Sequence, residues 1–161
     1  SSIDEQASNS RRFFHHCTMW GFLLCLASTC VATFYDYILS IQAPYPYLSL
    51  PVVLGTTGGL GLVVGPVGLI WNKMKSHPET TRHQGIDYAF MLSLFAVSLT
   101  GLLLLAFRET AAMGLLLVIH LGFVLGFFLM LPYSKFVHSF YRYIALVKFA
   151  SEQPTDDSLT P

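Results

Sequence analysis

Six histidines stand in a chain that is otherwise poor in ionisable groups, and four of them sit where imidazoles can act together. His15 and His16 lie just inside the first apolar stretch, three or four residues beyond Arg11 and Arg12. His120 lies within the last apolar stretch, and His138 lies just beyond it. Ionisable groups in apolar segments are functional candidates by default. Two imidazoles from facing helices are the ligand set that a b-type haem needs, with the ring edge-on between the helices. His138 with either His15 or His16 supplies such a pair. His15 and His16 point about 100° apart on a helix, so one iron takes only one of them. His15 lies closer to the small-residue face of its stretch and is favoured. The competing reading is that these are interfacial histidines without a ligand.

His120 and His138 are 18 residues apart. On one continuous helix that is five turns, which puts both on one face about 27 Å apart. Such spacing suits a helix that gives a ligand to each of two haems. No other histidine lies at the depth of His120, however. Its neighbours there on the first stretch are Thr33, Tyr35, Asp36 and Tyr37, and Asp36 is the expected acceptor for a hydrogen bond from His120. One bis-histidine haem is therefore expected, and a second only with an unusual ligand. A purely structural, hydrogen-bonded His120 is an equal alternative. Lys135, His138 and Arg142 form an i, i+3, i+7 stripe if the helix continues past Pro132. With Arg11 and Arg12 they suit haem propionates, and they serve equally as ordinary membrane anchors. His77 and His83 read as solvated loop residues. Cys17, Cys25 and Cys30 form no CxxC pair, so neither a zinc nor an iron–sulfur site is written in this chain.

The elements that must hold these residues follow from composition. Of 161 residues, 53% are hydrophobic and only 11% are charged, against about 25% in soluble domains. So few charges cannot cover a water-facing globule of this size. Thirteen Phe and eight Tyr exclude disorder, and a formal charge of zero disfavours nucleic-acid binding. An integral membrane protein remains. Four stretches are long enough to cross about 30 Å of hydrocarbon as helices: about Phe13 to Leu39, Leu50 to Trp71, Ile86 to Phe107, and Ala111 to Leu131. The fold class expected is an all-α, four-helix membrane bundle. Residues 1–10 read as a linker, 11–150 as the four-span domain, and 151–161 as a disordered tail.

Arg11, Arg12, Lys73, Lys75, Arg82, Lys135, Arg142 and Lys148 all fall on one side of this topology, and only Arg108 on the other. The positive-inside rule then places both termini in the cytoplasm. Arg11-Arg12 before an apolar run partly resembles an export signal, but no soluble domain follows it. The second span carries Gly55, Gly58, Gly59, Gly61, Gly65 and Gly68. Gly55/Gly59 and Gly61/Gly65 are small-xxx-small pairs that let backbones approach, with room for a flat cofactor as the alternative. Pro66 is expected to kink that helix. A nucleotide-loop reading of Gly59 and Gly61 fails, since no strand precedes them. Thr18, Gly21, Cys25, Ser28, Thr29, Ala32 and Asp36 form a small, polar face on span one that should point into the bundle. Gly122 and Gly126 repeat the small pair on span four.

Four segments carry a family resemblance: RRFFHHCTMWGFLLCLASTCVAT, PYPYLSLPVVLGTTGGLGLVVGPVGL, GIDYAFMLSLFAVSLTGLLLLAFRETAAMGLLLVIHLG and LPYSKFVHSFYRY. Over about residues 11–150 the chain resembles the tricarballylate/citrate utilisation protein B family. The resemblance implies a bacterial inner-membrane subunit serving a FAD-dependent tricarballylate dehydrogenase. It further implies that electrons pass from reduced flavin through iron–sulfur clusters and haem b to membrane quinone. Family members carry an N-terminal ferredoxin-like domain with clustered cysteines, and nothing before Arg11 matches it. The chain is thus expected to be the membrane half of a longer protein or a truncated form, with iron–sulfur clusters elsewhere. The alternative is a haem-free membrane anchor for a redox partner. A small transporter is weaker, because no repeat between halves is visible.

Overall fold

The computed structural model describes residues 2–75, 84–133 and 135–152. The helices are α1 (Ser2–Tyr37), α2 (Leu50–Lys75), α3 (Gln84–Ala106), α4 (Met113–Met130) and α5 (Lys135–Glu152), with a short 3-10 turn, Leu131–Tyr133, between α4 and α5. Among the described residues no strand occurs, so the all-α class holds. Asn9–Tyr37, Leu50–Lys75, Asp87–Ala106 and Met113–Tyr133 are each long and apolar enough to cross a membrane.

Ser2–Ser10, expected as a linker, is helical and continuous with the first span. Asn72 Nδ2 donates to Ser10 Oγ at 3.1 Å and ties this extension to the end of α2. At the other end of the chain, Ser151 and Glu152 belong to α5, and the remainder of the expected tail lies outside the described residues.

The four spans, α1 to α4, pack in chain order, each antiparallel to the last. Gly21 meets Gly58 and Leu62 while Phe14 meets Gly68, so α1 and α2 run in opposite directions. Gly59 meets Leu102, and Lys73 Nζ lies 3.5 Å from Asp87 Oδ2, which does the same for α2 and α3. Thr100 with His120, and Phe90 with Phe127, fix α3 against α4. The basic ends of α1 and α2 therefore share one rim with the start of α3 and the end of α4. The connections 38–49 and 107–112 form the far rim.

Interior contacts are of two kinds. Between α1 and α2 they are made by backbone, as the small polar face of α1 requires. A Cβ on Gly21 would stand 2.8 Å from the Gly58 carbonyl oxygen and 2.8 Å from the Leu62 nitrogen. Without a hydrophobic drive between helices in lipid, such close approach is what holds them. Thr18, Cys25 and Ser28 continue this face, with Ser28 Oγ donating to the Pro51 carbonyl at 2.6 Å. Thr29 and Asp36 do not join it and are exposed. The stripe on α2 that receives α1 is Gly55, Gly58, Gly61, Gly65 and Gly68. Gly59, expected to pair with Gly55, turns to Leu102 of α3 instead. These glycines are filled by α1 rather than open to a flat cofactor. α2 stays helical through the fully buried Pro66.

Elsewhere side chains fill the interior. Leu62, Leu94 and Phe127 form the core, with Phe22, Phe90, Val97 and Leu131 against it. Most other large apolar side chains face outward, Leu115 at 67% and Val118 at 68% exposure among them. That inversion suits a lipid-facing surface. At the far rim, the Arg108 guanidinium stacks 3.6 Å from the Tyr47 ring centroid, and its Nη1 donates to the Tyr45 carbonyl. Tyr45 Oη donates to the Ala32 carbonyl at 3.0 Å. This clasp joins the α1–α2 and α3–α4 connections.

Candidate functional site

The basic rim carries Arg11 and Arg12 of α1 and Lys73 and Lys75 of α2, beside the end of α4. His15 and His16 are exposed, with ring centroids 6.2 Å apart. Beyond that edge contact neither imidazole has a partner among the described residues. Arg11 and Arg12, one turn earlier, are exposed as well. The residues between them explain the exposure. Phe14 and Thr18 turn to Gly68 and Gly65 of α2, so the neighbouring positions point away from that interface.

Contact between α1 and α4 separates the two histidines. Phe22 packs on Phe127 with ring centroids 6.0 Å apart. His15 precedes Phe22 by seven residues, two turns, and shares its face, whereas His16 is rotated by about 100°. His15 thus lies on the side of α1 that meets α4, toward the rim.

His138 is not on a continuation of α4. Pro132 has no N–H to donate and its ring clashes with the preceding turn. α4 keeps its regular bonding to the end, with the Leu131 N–H on the Phe127 carbonyl, then tightens into the 3-10 turn Leu131–Tyr133, and α5 starts at Lys135. The single-helix relation of His120 to His138 is therefore broken, and the five-turn alignment does not apply. Lys135, His138 and Arg142 keep their i, i+3, i+7 spacing, now within α5. Arg142 is exposed, and the side chains of Lys135 and His138 lie outside the described residues. His77, His83 and Arg82 lie outside them too. Lys73 pairs with Asp87 and stands 4.6 Å over the Tyr88 ring.

His120 occupies a second, separate place on α4, seven residues past its start. Its expected partner, Asp36, is exposed near the end of α1. The actual partner is Thr100 of α3, whose Oγ1 lies 3.0 Å from His120 Nδ1. Gly101 seats the ring: a Cβ there would stand 3.0 Å from His120 Cε1. Sequence reasoning missed both residues, although a hydroxyl followed by glycine in mid-span is a signal for a polar side chain packing there. The contacts of Arg108 with the Tyr45 carbonyl and the Tyr47 ring were missed as well. Cys17, Cys25 and Cys30 are free, and among the described residues no three of His, Cys, Asp and Glu gather as a metal-binding group.

The family model described as Citrate utilization protein B matches residues 3–158. A curated relative, Citrate utilization protein B of Escherichia coli, is 51% identical over 155 residues, covering 95% of this chain and 41% of that protein. The chain thus spans about two fifths of the length of that relative. No solved structure matches it.

Proposed function

The chain belongs to the citrate utilization protein B family, and from that premise we propose that it is the membrane electron-transfer part of a tricarballylate- or citrate-oxidising system. In this reading it carries haem b at the cytoplasmic rim. It relays electrons from a flavin and iron–sulfur dehydrogenase to the quinone of the bacterial inner membrane. The observation that supports it most is the placement of His15, exposed and uncommitted, on the face of α1 that meets α4. An imidazole without a protein partner, two turns above an aromatic floor of Phe22 and Phe127, fits the donor set of a haem iron.

Bound there, haem b supplies a one-electron couple. His15 of α1 and His138 of α5 are the residues that would hold its iron. Arg11, Arg12, Lys135 and Arg142, each within a few residues of one of these histidines in sequence, would supply positive charge for the propionates. Phe22 and Phe127 exclude water from below. Both termini face the cytoplasm in this orientation, since the basic rim follows the positive-inside rule.

A reduced-minus-oxidised absorption spectrum of the purified protein tests the reading. A b-type band is expected in wild type and in His16→Ala and His77→Ala, and its loss in His15→Ala and His138→Ala. A protein from haem-replete cells that shows no band, yet still binds its dehydrogenase, is the haem-free anchor instead.

A further inference from the structure

His120 is held by Thr100 and Gly101 of α3 within the apolar span, and the haem rim does not use it. Thr100 Oγ1 has one proton and three neighbours: the Ala96 carbonyl at 2.7 Å, the Val97 carbonyl at 3.1 Å and His120 Nδ1 at 3.0 Å. The proton goes to the carbonyls of its own helix, so toward His120 the hydroxyl oxygen accepts. Nδ1 therefore carries the hydrogen, and in the neutral imidazole Nε2 carries a bare lone pair. Nε2 has no hydrogen-bond partner among the described residues, and His120 is only half-buried.

A bare acceptor about 10 Å below the start of α4 is costly in hydrocarbon, where no water satisfies it. A ligand for it must arrive through lipid and bring a hydrogen to donate. We infer that His120 Nε2, held by Thr100 and Gly101, is the hydrogen-bond acceptor of a hydroquinone site in the far-rim half of the α3–α4 pair. This rests on the quinone end of the relay proposed above. A haem iron is the less suitable occupant. Nε2 would lie 3.7 Å from a Cβ on Gly101, so the α3 backbone runs beside it. The other histidines lie near the basic rim or in the 76–83 connection, so none offers a second axial imidazole here. Thr100 is a positioning residue: it fixes which nitrogen is bare.

Binding of heptyl-hydroxyquinoline N-oxide, a fluorescent hydroquinone analogue, to the detergent-purified chain tests this. The wild type should quench its fluorescence at a saturable site. His120→Ala should weaken binding about tenfold or more, as expected for a lost hydrogen bond in an apolar site. Thr100→Val, which keeps the shape and removes the hydroxyl, should weaken it several-fold, and Thr100→Ser should restore it. Nitrogen NMR of labelled histidine gives a second readout that needs no ligand. The wild-type ring should report the Nδ1–H form, and Thr100→Val should shift it toward Nε2–H. Unchanged affinity in both His120→Ala and Thr100→Val, or a wild-type ring in the Nε2–H form, overturns the inference and leaves the haem reading untouched. A b-type band lost in His120→Ala also overturns it, by making His120 an iron ligand. Absence of any haem band sinks the relay while leaving the His120 measurements valid.

Discussion

The first and second helical hairpins are built from the same small-residue pattern and use it in opposite ways. In α1–α2, Gly61 and Gly65 lie against the backbone of α1. In α4, Gly122 and Gly126 repeat the spacing, and a Cβ on either would meet nothing within 4 Å. The difference lies in the partner. α1 offers Thr18, Gly21 and Cys25 along one face, so two backbones can close on each other. α3 instead meets α4 through longer groups, with Thr100 reaching His120 and Phe90 tilted on Phe127. A small-xxx-small pair is thus permission for close approach, taken only where the facing helix is small too. One hairpin is shut and rigid, and the other is held by side chains with a polar site between its helices.

Substitution at the shut interface should have the largest effect. Gly21→Ala and Gly58→Ala place a methyl within 2.8 Å of backbone on the facing helix, which cannot rotate away. Overpacking of this kind costs about 1–3 kcal/mol, and the better helix propensity of alanine returns about 1 kcal/mol at most. A net loss of about 1–2 kcal/mol is expected for each, read from denaturant or thermal unfolding in detergent. Gly59→Ala sharpens the contrast one residue away. Its nearest neighbour is Leu102 Cδ2 at 3.1 Å, the end of a flexible side chain. The cost there should stay below about 1 kcal/mol. Equal losses at Gly58 and Gly59 would mean that α3 is packed as tightly on α2 as α1 is.

The far-rim clasp tests whether the hairpins stabilise one another. Arg108→Ala removes the stack on Tyr47 and the bond to the Tyr45 carbonyl, a loss of about 1 kcal/mol at this partly exposed place. Arg108→Lys should recover little, since an ammonium cannot reproduce the planar stack. Proteolysis of the 38–49 connection is the sensitive measurement. Cleavage that does not quicken in Arg108→Ala would show that α1–α2 holds its turn alone.

Much of this contrast was legible in the sequence. Hydropathy fixed four spans within a few residues, and the small face of α1 identified itself by residue type. The stripe on α2 was misassigned because a four-residue spacing alone does not choose a face. The true stripe steps by three, three, four and three, close to one turn of helix each time, which leaves Gly59 off it. Pro132 was read through, although it removes a donor at the position where the helix stops. Asp36 was set opposite His120 by depth alone, but depth does not say which helix is adjacent. α3 is the neighbour, and only packing reveals that.

The smallest expected effect is the most discriminating. Gly126→Ala and Gly122→Ala add a methyl into open space on α4. Nothing is displaced, and alanine loses less backbone entropy in a helix than glycine does. The isolated chain should be unchanged or more stable by up to about 1 kcal/mol, the opposite sign from Gly21→Ala. Those changes should hold at every protein-to-detergent ratio, because a face that packs on nothing has no association to lose. A destabilisation that grows as detergent is diluted would mean that this open stripe closes on another helix in the assembled membrane. The contrast between the hairpins would then belong to the isolated chain and not to the working complex.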